Sequence, residues 1–331
     1  MSATESAERK RTMLRTALGP AIAAALADPH VVEVMVNPDG ALRLDRLGDG
    51  RCDTGTRLDA GEVERIIRLV ASHARTEVHA AAPIVSAELP AHADGQAGER
   101  FEGILPPVAS GPCFSIRKPA ARIYSLADYA GAGVVGPELA RLLSLAVVER
   151  RNILVAGGTS SGKTTLANAL LAEVAPRDER VILIEDTREL QCAAADTVAL
   201  RTRAGIVTMA DLVRSTLRLR PDRIIVGEVR GREALDMLKA WNTGHPGGIA
   251  TVHANNARSA LYRLEQLIQE AVVTVPRRLI AEAVDLVVFI EGRGSGRRIG
   301  AIEWIEGLDC AGEYALRSAL PTDPAFQGDQ P

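Results

Sequence analysis

The sequence predicts an α/β protein in two parts, a doubly wound and mostly parallel sheet in the C-terminal half behind a smaller α+β domain. Three observations lead there. The second half alternates short apolar runs with helical stretches, the pattern of parallel strands joined by crossover helices. A glycine-rich turn separates the first of those strands from its helix, the kind of junction at which such sheets bind ligands. The first half shows hairpin strands and one amphipathic helix instead, without the alternation.

In order along the chain, residues 1–30 read as a loosely helical, partly disordered leader. Residues 31–47 form two short strands around the turn Asn37-Pro38-Asp39-Gly40, since Pro presets the turn and Gly accepts its left-handed position. Within 61–78, Val63, Ile66, Ile67 and Val70 recur at helical spacing and predict an amphipathic helix. Strands follow at 101–105 and 114–117, and Pro119 ends the second. The first domain therefore spans 31–118, and the Ala- and Gly-rich stretch 119–134 reads as a linker. From 135 to 312 the predicted order is strand 153–156, helix 163–174, strand 181–184, helix 209–218, strand 224–226, helix 233–242, strand 249–252, helix 257–271 and strand 286–290. Residues 313–331 read as a tail.

Composition narrows the function. With 331 residues and 47% apolar content, the chain can bury a large core, which excludes disorder as its dominant state. A net charge of −3 gives no bulk attraction to nucleic acid or anionic lipid, and ten aromatic residues offer little for base stacking. Of the 39 basic residues only Lys10, Lys118, Lys163 and Lys239 are lysines, so each lysine is a rare choice. Cys52, Cys113, Cys192 and Cys310 lie far apart with no C-x-x-C pair, which argues against a zinc ribbon or a disulfide framework and suits a reducing cytoplasm. The N-terminal apolar tract is broken by Pro20 and Asp28, unlike a signal peptide, and no run has the length of a transmembrane helix.

The strongest motif is Gly157-Gly158-Thr159-Ser160-Ser161-Gly162-Lys163-Thr164, followed by Thr165, a complete G-x-x-x-x-G-K-[ST] between strand and helix. Its glycines let backbone N–H groups wrap phosphates, and the helix N-terminus adds its dipole. Lys163 reaches the β- and γ-phosphates of ATP, and Thr164 takes a place on Mg²⁺. A second buried strand delivers Glu228 to its tip, where a carboxylate can hold Mg²⁺ or orient the attacking water. A third ends in Glu185-Asp186-Thr187-Arg188-Glu189, carboxylates that repel one another unless a cation sits among them. Glu185 is the candidate there for chemistry and metal; Asp186 and Thr187 could equally cap the next turn. The choice of base among Glu185, Glu189 and Glu228 stays open. His253 ends another strand of the same sheet, within reach of a γ-phosphate, whereas His245 serves equally well as a structural residue. Arg100 and Arg117 lie beside Phe101 and Phe114, and abundance alone would make them surface groups.

Together GGTSSGKTT, IEDTREL, RPDRIIVGEVRGREALDMLKAWNTGHPGG and ATVHANN resemble the Walker A, Asp box, Walker B and His box of the type II and type IV secretion ATPase superfamily. The NPDG hairpin, ERFEGILPPV, SIRKP and HPGGIATVHANNARSALYRLEQL are most similar to the TrbB-type ATPases of conjugative transfer; the tetracysteine module usual in the type II assembly branch is missing. The resemblance implies a PAS-like N-terminal domain, a RecA-like P-loop ATPase domain, and a homo-hexameric ring that uses ATP and Mg²⁺. It further implies a cytoplasmic protein docked peripherally on inner-membrane components of a mating-pore complex, without sequence-specific nucleic-acid contacts. It assigns Arg100 and Arg117 to the γ-phosphate and adds them to Lys163, Glu185, Glu228 and His253 as the catalytic set, with Thr164, Glu185 and Glu228 as metal ligands. Two other readings compete. A RecA-like translocase would show DNA-stimulated hydrolysis with a steep salt dependence, and a small-molecule phosphotransferase would need an acceptor.

Overall fold

The computed structural model describes residues 3–91, 98–119, 122–203 and 205–319, and the chain divides into two compact units, Met1–Ala121 and Arg122–Pro331.

Helix α1 (Ala3–Ala27) opens the first unit and is interrupted at Gly19, whose φ of 79° precedes Pro20. Leu14, Leu18, Ile22 and Leu26 repeat every four residues along it and are all buried in the core of that unit. The expected leader is therefore corrected over this stretch: an apolar stripe of that length packs as a helix. Next come β1 (Val31–Val36), β2 (Ala41–Arg46), β3 (Gly50–Arg57), α2 (Ala60–Ala74), β4 (Ile84–Glu88), β5 (Arg100–Ile104) and β6 (Cys113–Arg117), and the strands form one antiparallel sheet in the order β3-β2-β1-β6-β5-β4. The β1–β2 turn closes through Gly40 N–H donating to Asn37 O at 2.9 Å, and a Cβ at Gly40, where φ is 71°, would lie 2.2 Å from Leu58 O. Helix α2 starts in a capping box between Asp59 and Glu62, buries the four predicted apolar residues, and stops where Arg75 turns left-handed, short of the expected 78.

The second unit begins inside the predicted linker. Ser125 and Asp128 form a capping box for α3 (Leu126–Gly131), whose Leu126 and Tyr129 are buried with Val135 and α4 (Pro137–Val148). The 119–134 stretch is thus largely built into this unit rather than serving as a free connector, because two of its apolar side chains complete the core.

The remaining elements are β7 (Ile153–Gly157), α5 (Lys163–Val174), β8 (Arg180–Glu185), β9 (Asp196–Arg201), α6 (Met209–Thr216), β10 (Arg223–Val226), α7 (Glu233–Asn242), β11 (Ile249–His253), α8 (Ala257–Gln269), α9 (Arg277–Ala283), β12 (Leu286–Glu291), β13 (Arg298–Leu308) and β14 (Tyr314–Ser318). They make one sheet in the order β14-β13-β12-β7-β11-β10-β8-β9, parallel from β12 to β9 and antiparallel at β13 and β14. Two apolar layers cover its faces, one including Ile184, Val226 and Val252, the other Val155, Leu183 and Val288. Burial on both faces is why these strands read as continuous apolar runs. The expected tail from 313 is corrected by β14, which pairs with β13; residues 320–331 of that tail lie outside the described residues. The architecture is the RecA-like α/β unit with a smaller α+β N-terminal unit that the sequence predicts.

Candidate active site

Four parallel strands end side by side around the phosphate loop. β7 runs into Gly157, where a Cβ would lie 2.4 Å from Ile290 O and 2.6 Å from Ser161 Oγ, so only glycine fits beneath the loop. Ser160 and Gly162 take left-handed φ of 61° and 99°, and Ser161 N–H donates to Gly158 O at 3.3 Å, before α5 begins at Lys163. Thr159 and Gly158 are exposed at the rim, while Ser161 is buried with its Oγ lacking a hydrogen-bond partner among the described residues.

Lys163 folds back over this loop, its Nζ donating to Gly158 O at 3.0 Å and lying 3.3 Å from His253 Nδ1. His253 Nε2 is 2.7 Å from Glu228 Oε1, an ion-pair distance without hydrogen-bond alignment: that oxygen is buried and has no hydrogen-bond partner among the described residues. Burial, and then the Lys163 ammonium, push the His253 pKa below its ordinary 6.5 against the pull of Glu228. Glu228 Oε2 accepts from Arg230, with Nε at 2.8 Å, and Arg230 Nη1 stands 3.7 Å from Asp186. The loop carrying Glu228 is tied to β11, since Thr251 Oγ1 donates to Gly227 O and Val229 N–H to Thr251 O.

Glu185 is the last residue of β8. Its side chain is 3% exposed, and its Oε1 accepts the backbone N–H groups of Glu189 and Leu190 at 2.9 and 2.7 Å. Burial raises its pKa, opposed by those two hydrogen bonds. The carboxylate that meets the phosphate loop is Glu189, whose Oε2 accepts from Thr164 Oγ1 at 3.1 Å. Asn168 on α5 secures that loop by donating to Glu189 O and accepting from Gln191 N–H. Glu189 follows Glu185 four positions on; the two backbone hydrogen bonds to Glu185, with Asn168 holding the segment, turn the first carboxylate inward and leave the second at Thr164. Asp186 accepts from Thr202 Oγ1 rather than capping a helix, and His245 Nδ1 rests 3.0 Å from Pro221 O.

In the first unit, Arg100 and Arg117 stand directly opposite each other on β5 and β6. Glu88 on β4 and Glu33 on β1 flank them in the same row, so two adjacent cations are bracketed by acids. Thr164 and Glu189 offer hard oxygen donors of the kind Mg²⁺ takes alongside phosphates, and a hydroxyl with one carboxylate is a sufficient protein share.

The type II/IV secretion system protein family matches residues 57–290. The conjugal transfer protein TrbB of Rhizobium radiobacter is 48% identical over 93% of this chain and 94% of its own length. The type IV secretion system protein PtlH of Bordetella pertussis is 34% identical over 86% of this chain and 93% of its own. In fold, the crystal structure of the pilus retraction motor PilT with bound ADP superposes with a TM-score of 0.62 at 19% identity, covering 88% of this chain and 83% of that one. On the extent of these matches, this chain belongs to the type II/IV secretion system protein family and is similar over nearly its whole length to conjugal transfer proteins of the TrbB kind.

Proposed function

We propose that this protein hydrolyses Mg-ATP to power a conjugative type IV secretion system, in pilus biogenesis, substrate transfer or both. The observation that carries the reading is the convergence, at the C-terminal ends of neighbouring interior strands, of Lys163 with His253 and Glu228 and of Thr164 with Glu189. On this reading Lys163 leaves Gly158 O for the β- and γ-phosphate oxygens, and the N–H groups of 157–165 hold the phosphate chain. Thr164 and Glu189 would hold the metal. Mg²⁺, when bound, offsets charge on the phosphate oxygens. Glu228 accepts a proton from the attacking water through Oε1, the oxygen without a hydrogen-bond partner among the described residues, while Arg230 fixes Oε2. Glu185 organises the loop that presents Glu189. His253 reads the γ-phosphate beside Lys163, and Arg100 with Arg117 is a cross-strand pair of cations suited to an anionic group.

The similarity to TrbB supports a homo-hexamer acting at inner-membrane components of the secretion machine from the cytoplasm. No helix among the described residues is long and apolar enough to cross a membrane. The test is hydrolysis by Lys163→Ala. Removing the charge at the β/γ-phosphates should lower turnover about 10²-fold, roughly 2.7 kcal/mol of transition-state stabilisation, in a folded protein. Turnover near the parent's would remove the phosphate loop from the chemistry.

A further inference from the structure

On the ATPase reading above, we propose that Arg297 is a nucleotide-binding residue that holds the α-phosphate at the nucleoside end of the site, on the flank opposite His253 and Glu228. The sheet order sets the flank. β11, β10 and β8 lie on one side of β7 and carry His253, Glu228 and the Glu189 loop, so the reacting γ-phosphate belongs there. The nucleoside end must then extend toward the other side, where β12 and the turn into β13 adjoin β7.

Arg297 stands at the end of that turn. The chain after β12 folds tightly at Gly292, where φ is 77° and a Cβ would lie 2.0 Å from Gly296 O; it then makes the short turn Gly294–Gly296. Two residues past Arg297, Ile299 N–H donates to Val134 O at 2.8 Å, which anchors the segment to the α3–α4 connection. The side chain is thereby laid against the phosphate loop. A Cβ on Gly162 would sit 2.8 Å from Arg297 Nε and 3.0 Å from its Cζ, so the guanidinium packs on the Cα of the residue that precedes Lys163. Any side chain at 162 would displace it. This is a second reason for glycine there, beside the positive φ of 99°.

The Nε of Arg297 is buried and has no hydrogen-bond acceptor among the described residues. A buried donor without a partner is rare in a folded protein and calls for an acceptor. Two other orphan oxygens lie in this neighbourhood. One is Ser161 Oγ of the loop itself. The other is Tyr129 Oη from α3, whose pKa burial pushes up to about 12 while the nearby Arg297 charge pulls it down. A guanidinium edge against the N-terminus of α5, with no carboxylate bonded to it, matches a phosphate oxygen of a nucleotide whose β-phosphate fills the loop. The α-phosphate is the part of ATP, ADP and AMP that lies on that side.

The experiment compares Arg297→Met, which keeps the aliphatic stem packed on Gly162, with the parent chain. Affinities for Mg-ADP, AMP and a non-hydrolysable Mg-ATP analogue are measured by calorimetry, and steady-state hydrolysis is followed in parallel. All three affinities should fall together, by about tenfold. KM for ATP should rise to match, with kcat at saturation within about twofold of the parent, because the α-phosphate is bound equally before and during the reaction. Arg297→Lys should recover part of the loss, and Arg297→Gln serves in the same measurements if the Met variant fails to fold. Unchanged ADP and AMP affinity, with or without a lower melting temperature, would leave Arg297 as packing and overturn the assignment. So would a fall in kcat at constant KM. A parent chain that binds Mg-ADP keeps the ATPase reading standing whatever Arg297 does; one that binds no adenine nucleotide overturns both.

Discussion

Replacing Glu185 separates organisation of the active-site loop from chemistry, because the carboxylate is buried with one oxygen holding two backbone N–H groups. Glu185→Gln retains an oxygen that can accept from Glu189 and Leu190 at the present 2.9 and 2.7 Å, and removes a charge that burial disfavours. Glu185→Ala removes the acceptor and leaves the N–H of Leu190, itself only 4% exposed, without one. Hydrogen bonds to charged groups are worth about 1.5–3 kcal/mol each, so the Ala variant should lose on the order of 3 kcal/mol or more. In a unit of this size that is a fall in Tm of roughly 6–12 °C by scanning calorimetry. The Gln variant should melt within a few degrees of the parent and keep most of its ATP hydrolysis. The Ala variant should lose hydrolysis as well as stability, since the loop that presents Glu189 to Thr164 is released. A folded Gln variant with normal melting and hydrolysis reduced 10²-fold or more would refute this reasoning and return Glu185 to the role of base.

Glu228→Gln should bind Mg-ATP close to normally and hydrolyse it at least 10²-fold more slowly, as expected of a lost general base; equal loss of binding and hydrolysis, read by calorimetry and phosphate release, would assign Glu228 to the metal instead. His253 should titrate below 6.5 in NMR, with Lys163→Met raising its pKa and Glu228→Gln lowering it further. The sign for stability follows: between its lowered folded pKa and 6.5 the unfolded chain binds more protons, so this histidine makes the fold less stable as pH drops through that window, and denaturant melts of His253→Gln should show a shallower decline. Arg223 is fully buried on β10, where its guanidinium bonds Glu179, Gly247 O and Val147 O. Arg223→Ala should therefore cost about 3–5 kcal/mol in chemical denaturation, because Glu179 keeps only the longer 3.8 Å approach of Arg150 and the carbonyls of Gly247 and Val147 lose a buried donor, and a loss under 1 kcal/mol would contradict it. Gly247→Ala should also destabilise, because at a φ of 85° its new Cβ would stand 2.6 Å from Arg223 Nη1.

Much of this molecule is written locally. The parallel strands show as apolar runs because both their faces are buried, and the phosphate loop shows because wrapping a phosphate needs glycines and a lysine at one spacing whatever surrounds them. Helix α2 was legible from four apolar residues at helical spacing; the glycine-rich motif names Lys163 and Thr164 as candidates, and places at strand tips name Glu228 and His253. What local pattern could not supply was partnership. α1 and α3 look like a leader and a linker until their apolar side chains meet a core made by distant residues. β3 and β9 are edge strands, exposed enough that no alternation marks them, and β14 exists through pairing with β13. The acidic stretch that ends β8 put Glu185 ahead for chemistry and metal, and left the base open among Glu185, Glu189 and Glu228. The choice came from two backbone N–H groups that needed a buried acceptor and from Asn168 on a different helix, which together turned one carboxylate inward and the other to Thr164. Arg297 carried no signal at all among 35 arginines, since its place against Gly162 is set by a turn 135 residues further along the chain. Residue type and spacing determine which chemistry a segment can support; burial and hydrogen bonding between segments far apart in sequence decide which side chain is left to perform it.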